Sequence, residues 1–99
     1  MMKAVSAKLR WMRPDEGGRK TPPPGPRIVM VPLFEQQRET WLKEAWSMVI
    51  EWNEAPDASR THNVNLRFLV NGAPDHLLTT GNRFELLEGN LIVAIGEIL

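Results

Sequence analysis

Ninety-nine residues suffice for one compact core and rarely for two, so the chain is expected to be a single domain spanning residues 1–99. Twelve Lys and Arg balance twelve Asp and Glu, and the 42% hydrophobic content lies in the ordinary globular range, so the totals advertise no polyanionic partner. The absence of cysteine excludes disulfides and thiolate metal sites.

The first stretch, Ala4 to Met12, alternates Val5, Ala7, Leu9 and Trp11 with Ser6, Lys8 and Arg10. A period of two is that of a strand with one buried face. No apolar run of the length required by a secretory signal or a membrane span follows, and the chain is expected to be cytoplasmic. Next comes "RPDEGGRKTPPPGPR", Arg13 to Arg27, rich in turn formers and poor in anything that could enter a core. Positive charge gathers in this quarter of the chain: Lys3, Lys8, Arg10, Arg13, Arg19, Lys20 and Arg27, against Asp15 and Glu16. Such clustering fits a solvated surface or an electrostatic footprint for phosphate.

"RIVMV", Arg27 to Val31, predicts a short second strand ended by Pro32. Residues 35–55 are ambiguous. Trp41, Ala45, Met48 or Val49, and Trp52 fit a helical period with Thr40 as a cap, whereas Trp46, Met48, Ile50 and Trp52 fit a strand period. The favoured reading is a helical turn or irregular excursion over 35–44 leading into a strand at about 45–52. Of the four tryptophans, Trp11, Trp46 and Trp52 are expected in the core and Trp41 partly exposed.

A polar loop precedes "HNVNLRFLV", where Val64, Leu66, Phe68 and Val70 give the cleanest alternation in the chain. After the turn "NGAPD", "RFELL" and "LIVAIGEIL" flank "EGN", a hairpin signal. Five or six short strands with turns between them and little helix predict an all-β fold, a closed or nearly closed barrel.

Catalytic signals are sparse. No GxxxxGK followed by Ser or Thr is present, so nucleoside triphosphate binding by that route is excluded. His62 and His76, the only histidines, fall in polar surroundings and are expected to be solvated loop residues, and no serine stands in a nucleophile elbow. Neither enzymatic activity nor a metal or cofactor is expected.

Two segments then read together. "EGGRKTP" follows the first strand, and "GNRFELLEGNLIVAIGEIL" closes the chain. They resemble the two signatures of the C-terminal β-barrel domain of elongation factor Tu, an E-G-G-R-H-T-P turn followed by G-Y-R-P-Q, and a closing G-x-R-F-x-I-R-E-G-G-R-T-V-G-x-G-V-V. Glu16, Gly17, Gly18, Arg19, Thr21 and Pro22 match the first, and Gly81, Arg83, Phe84, Glu88, Gly89, Val93 and Gly96 the second. The resemblance implies a stand-alone, six-stranded antiparallel closed barrel without catalytic groups, with GTP and Mg²⁺ handled by domains outside these residues. In that family the barrel contributes to the surface holding the T-stem backbone of aminoacyl-tRNA and contacts the exchange factor. Arg19, Lys20 in place of the turn's histidine, Glu88 and Gly89 would thus be the RNA- or partner-facing residues.

The departures weigh against a retained RNA site. Val29 stands for the family's glutamine, and Asn90 and Leu91 for the second glycine and the arginine of the closing hairpin. An amide donor and a guanidinium are the groups a phosphate contact needs. The expectation is therefore a protein-interaction module linked to the translation machinery, with tRNA or another structured RNA as the alternative partner.

Overall fold

The computed structural model describes residues 3–38 and 45–99. The chain is all-β, a closed antiparallel barrel of six strands: β1 (Val5–Trp11), β2 (Arg27–Phe34), β3 (Met48–Glu51), β4 (Thr61–Phe68), β5 (Arg83–Glu88) and β6 (Leu91–Ile98). Helical structure among the described residues is limited to 3₁₀ turns at Pro14–Glu16, Glu35–Gln37 and Asp75–Leu77, and no helix is long and apolar enough to cross a membrane.

Around the barrel the order is β1, β4, β3, β2, β5, β6, and β6 closes on β1 through pairs running from Ala7 with Ile98 to Trp11 with Ala94. This order explains the long polar connections. Strands β1 and β2 stand on opposite sides of the ring, as do β4 and β5. Residues 12–26 must therefore cross one mouth of the barrel, and residues 69–82 the other. The remaining connections join neighbours, ending in a two-residue hairpin at Gly89 and Asn90.

The alternation fills the interior. Ala7, Leu9 and Trp11 of β1, Val64, Leu66 and Phe68 of β4, and Phe84 and Leu86 of β5 are buried together. Each large side chain so buried stabilises the fold by roughly 1.5–3 kcal/mol. Both crossings add to this core: Pro23 is buried in the first, and Leu77 and Leu78 plug the second. A Cβ on Gly96 would lie 2.3 Å from the Phe84 ring, so Phe84 occupies the volume that its cross-strand partner leaves empty.

Several expectations are corrected. Strand β2 continues past Pro32 to Phe34, because its pairing with β3 ends at Met30 while pairing with β5 begins at Val31. A strand bonded on one side alone accommodates a residue without an N–H. Strand β3 is shorter than 45–52, and Trp46, which precedes it, is half-buried against the core rather than inside it. Strand β4 ends at Phe68, leaving Leu69 and Val70 exposed. The excursion begins with the 3₁₀ turn at Glu35–Gln37; its continuation over 39–44, the Thr40 cap and the setting of Trp41 lie outside the described residues. His62 is no loop residue: it belongs to β4 and is only 7% exposed.

Candidate functional site

The mouth crossed by residues 12–26 also carries the β3–β4 connection and the β5–β6 hairpin. All four predicted site residues are therefore at this mouth. The Arg19 Nε donates to Glu88 Oε2 at 2.8 Å, an ion pair between residues 69 apart in sequence. Lys20 is exposed, with no side-chain hydrogen bond or ion pair among the described residues. Gly89 takes no part in a side-chain contact; it sits at φ +63° in the hairpin, a conformation in which glycine carries no Cβ penalty.

The turn bearing Arg19 is built from local bonds. After β1, Arg13 N donates to Glu16 Oε1 at 3.0 Å, and Arg10 Nη1 reaches the same carboxylate. These contacts, the Arg13 amide first and the Arg10 guanidinium second, hold the Glu16 carboxyl below the ordinary carboxylate range. Gly17 then turns the chain at φ +90°, and Gly18 passes so close to Met12 that a Cβ would lie 2.2 Å from the Met12 carbonyl oxygen.

A second support comes from the β3–β4 connection. Arg60 Nη2 donates to the Arg19 carbonyl at 3.0 Å. Arg60 itself sits at φ +65°, the one non-glycine residue with positive φ among those described, and such strain persists where surrounding contacts fix it. Here Asp57 does so, its Oδ1 accepting from Ser59 Oγ at 2.6 Å, Ser59 N at 2.9 Å and Thr61 N at 3.0 Å. The Ser59 hydroxyl is the main cause, with the Thr61 amide next, of an Asp57 carboxyl held below its ordinary range.

Beneath the mouth, Trp11, Trp52 and His62 form one buried cluster. Trp11 Nε1 donates to His62 Nε2 at 3.0 Å, and His62 Nδ1 lies 2.8 Å from the Glu54 carbonyl oxygen. A ring that accepts at one nitrogen and faces a carbonyl at the other is neutral with its proton on Nδ1. The Trp52 and His62 rings meet edge to face at 5.1 Å, and Gly25 of the crossing lies flat on the Trp52 indole.

In the basic N-terminal quarter three cations are paired, Arg10 with Glu16, Arg13 with Asp15 and Arg19 with Glu88, while Lys3, Lys8, Lys20 and Arg27 carry no ion pair among the described residues. A groove of about 570 Å³ on the outer wall, with Lys8 at its side and Ile95 in its lining, is similar in character, its Arg38 paired with Glu85 and its Arg83 with Glu97. No cluster of three or more His, Asp or Glu able to hold a metal ion is present among the described residues.

Sequence reasoning missed Arg60 and His62. Arg60 acts on a main-chain carbonyl, which no motif records. His62 had a usable signal, because it stands in phase with Val64, Leu66 and Phe68. No protein-family model matches the chain, and no curated protein matches it.

Proposed function

We propose that the chain is a non-catalytic barrel of the elongation factor Tu C-terminal type, working as a protein-interaction module linked to translation through the mouth that carries Arg19, Lys20, Glu88 and Gly89. The observation that supports this reading most is the 2.8 Å ion pair between Arg19 and Glu88. It joins the two segments on which the family resemblance rests, and it satisfies the guanidinium that a phosphate would otherwise claim. Around this mouth Arg10, Arg13 and Arg19 are engaged by carboxylates, leaving Lys20 and Arg27 exposed without an ion pair among the described residues. A surface with much of its positive charge so engaged suits a protein partner better than a nucleic-acid backbone, whose affinity comes from unpaired cations. The exposed Lys20 favours the second reading, tRNA or another structured RNA held at the same turn.

Both side chains of the pair are well exposed, 36% for Arg19 and 50% for Glu88. An ion pair in that setting contributes about 0–1 kcal/mol, so reversing either charge leaves the barrel folded. This permits a clean test. Purified elongation factor Tu, its exchange factor and bulk tRNA are each titrated against the immobilised chain at two salt concentrations, with Glu88→Lys and Lys20→Glu in parallel. Saturable binding to a protein component, weakened in the variants, supports the module. Salt-sensitive binding to tRNA alone moves the function to the second reading. Binding to none of the three at micromolar concentration overturns the link to translation.

A further inference from the structure

His62 is a buried titratable group that no function assigned to the mouth uses. Its ring nitrogens tie two separate pieces of the structure together, the Trp11 indole of β1 at Nε2 and the Glu54 carbonyl of the β3–β4 connection at Nδ1. The connection is tied to the crossing in turn: Arg60 holds the Arg19 carbonyl, and Trp52 N donates to the Pro26 carbonyl at 3.0 Å. Trp11 N also donates to the Arg60 carbonyl at 2.9 Å. The histidine therefore joins β1 to the β3–β4 connection, and through Arg60 that connection is one of the supports of the Arg19 turn.

We propose that His62 is a proton-operated latch on this mouth. The Nε2 lone pair takes up a proton from solvent, the imidazole becomes an imidazolium, and the nitrogen that accepted the indole N–H becomes a donor facing a donor. The Trp11 bond is lost, and a charge is left in a pocket walled by two indoles. Moving the ring to water relieves both, and carries with it the Glu54 carbonyl and the segment 53–60. Because opening is coupled to proton uptake, the open form gains as pH falls.

No charged side chain is hydrogen-bonded to the ring among the described residues. On β1, Arg10 is engaged by Glu16. In the connection, Arg60 is engaged by the Arg19 carbonyl and Asp57 by Ser59 and Thr61, while Glu54 is exposed. From the crossing, Arg13 pairs with Asp15, and Arg19 with Glu88. Glu51 at the end of β3 pairs with Arg67. Glu16 and Asp57 are held below the ordinary carboxylate range by their hydrogen bonds to Arg13 and to Ser59.

The latch is independent of any partner and is tested on the chain alone. Amide hydrogen exchange, corrected for the intrinsic effect of pH, is followed from pH 8 to pH 5.5 in the wild type, in His62→Gln and in His76→Gln. The glutamine amide can accept from Trp11 and donate to the Glu54 carbonyl without titrating. Expected in the wild type and in His76→Gln is exchange about tenfold faster at the acid end over 53–60 and 18–20, with strand amides unchanged, the effect of one lost buried hydrogen bond on local opening; His62→Gln is expected to be flat. A flat wild type, a pH effect that survives in His62→Gln, or one spread evenly over all six strands overturns the latch. Should His62→Gln fail to fold, the nitrogen-15 titration of the His62 ring in the wild type decides: a midpoint matching that of the exchange supports the proposal, and a mismatch overturns it.

Discussion

Gly17 and Gly18 are neighbours with different duties, and substitution separates them. At Gly17 an added Cβ meets nothing within 4 Å, so alanine there bears only the strain of φ +90°, on the order of 1–2 kcal/mol. At Gly18 the Cβ would press on the Met12 main chain, which cannot move without shifting the end of β1. Gly18→Ala is expected to cost more than Gly17→Ala, roughly 3 kcal/mol, as read by chemical denaturation; equal costs would count against the close approach. The acid limb of stability belongs to this scale as well. Glu16 and Asp57 are both depressed in the folded chain, so the stability each provides is complete above the unfolded carboxylate value and is lost as pH falls through its folded value. Asp57→Asn, whose amide accepts more weakly, should speed exchange of the Ser59 and Thr61 amides at pH 7 and flatten their response to acid.

At the scale of the element, Phe84 and Gly96 form a unit across β5 and β6. The ring lies where a side chain at residue 96 would stand. Phe84→Ala is expected to cost about 3–5 kcal/mol, and Gly96→Val about 1–3 kcal/mol from overpacking. The double variant should cost less than the sum, since the valine enters the space that the ring vacates. Strict additivity in a denaturation cycle would refute the interlock. These elements also show what the sequence carries. Alternation in VSAKLRW and THNVNLRF and the glycine in "EGN" are local signals, and the strands and hairpin follow from them. The extension of β2 through Pro32 was not legible, because it depends on where the pairing with β3 stops, a property of the neighbour. The meeting of Arg19 with Glu88 was not legible, for nothing within either segment names the other; the resemblance marked both as partner-facing without pairing them.

Over the whole molecule, strand order decides which loops matter. Because the two longest polar connections bridge opposite walls, they belong to the core and are not decoration on it. Leu78 lies in no strand, yet it is 1% exposed. Leu78→Ala is accordingly expected to cost about 2–5 kcal/mol, matching Leu66→Ala in the middle of β4, whereas Leu69→Ala in the same connection should change stability by less than about 0.5 kcal/mol. Thermal or chemical unfolding of the three variants checks this ordering. Composition could not have revealed it, since "NGAPDHLLTTGN" reads as a turn and only its passage across the mouth gives the paired leucines a place to go.

The closure of β6 on β1 has a mechanical side. The pair Ala7 with Ile98 lies at one end of the β1–β6 ladder and Trp11 with Ala94 at the other. A pull applied between residues 5 and 98 loads that ladder from its end, so its bonds break in succession and never share the force. The barrel is a ring with a zip: held shut against heat by its core, and opened along one seam by tension.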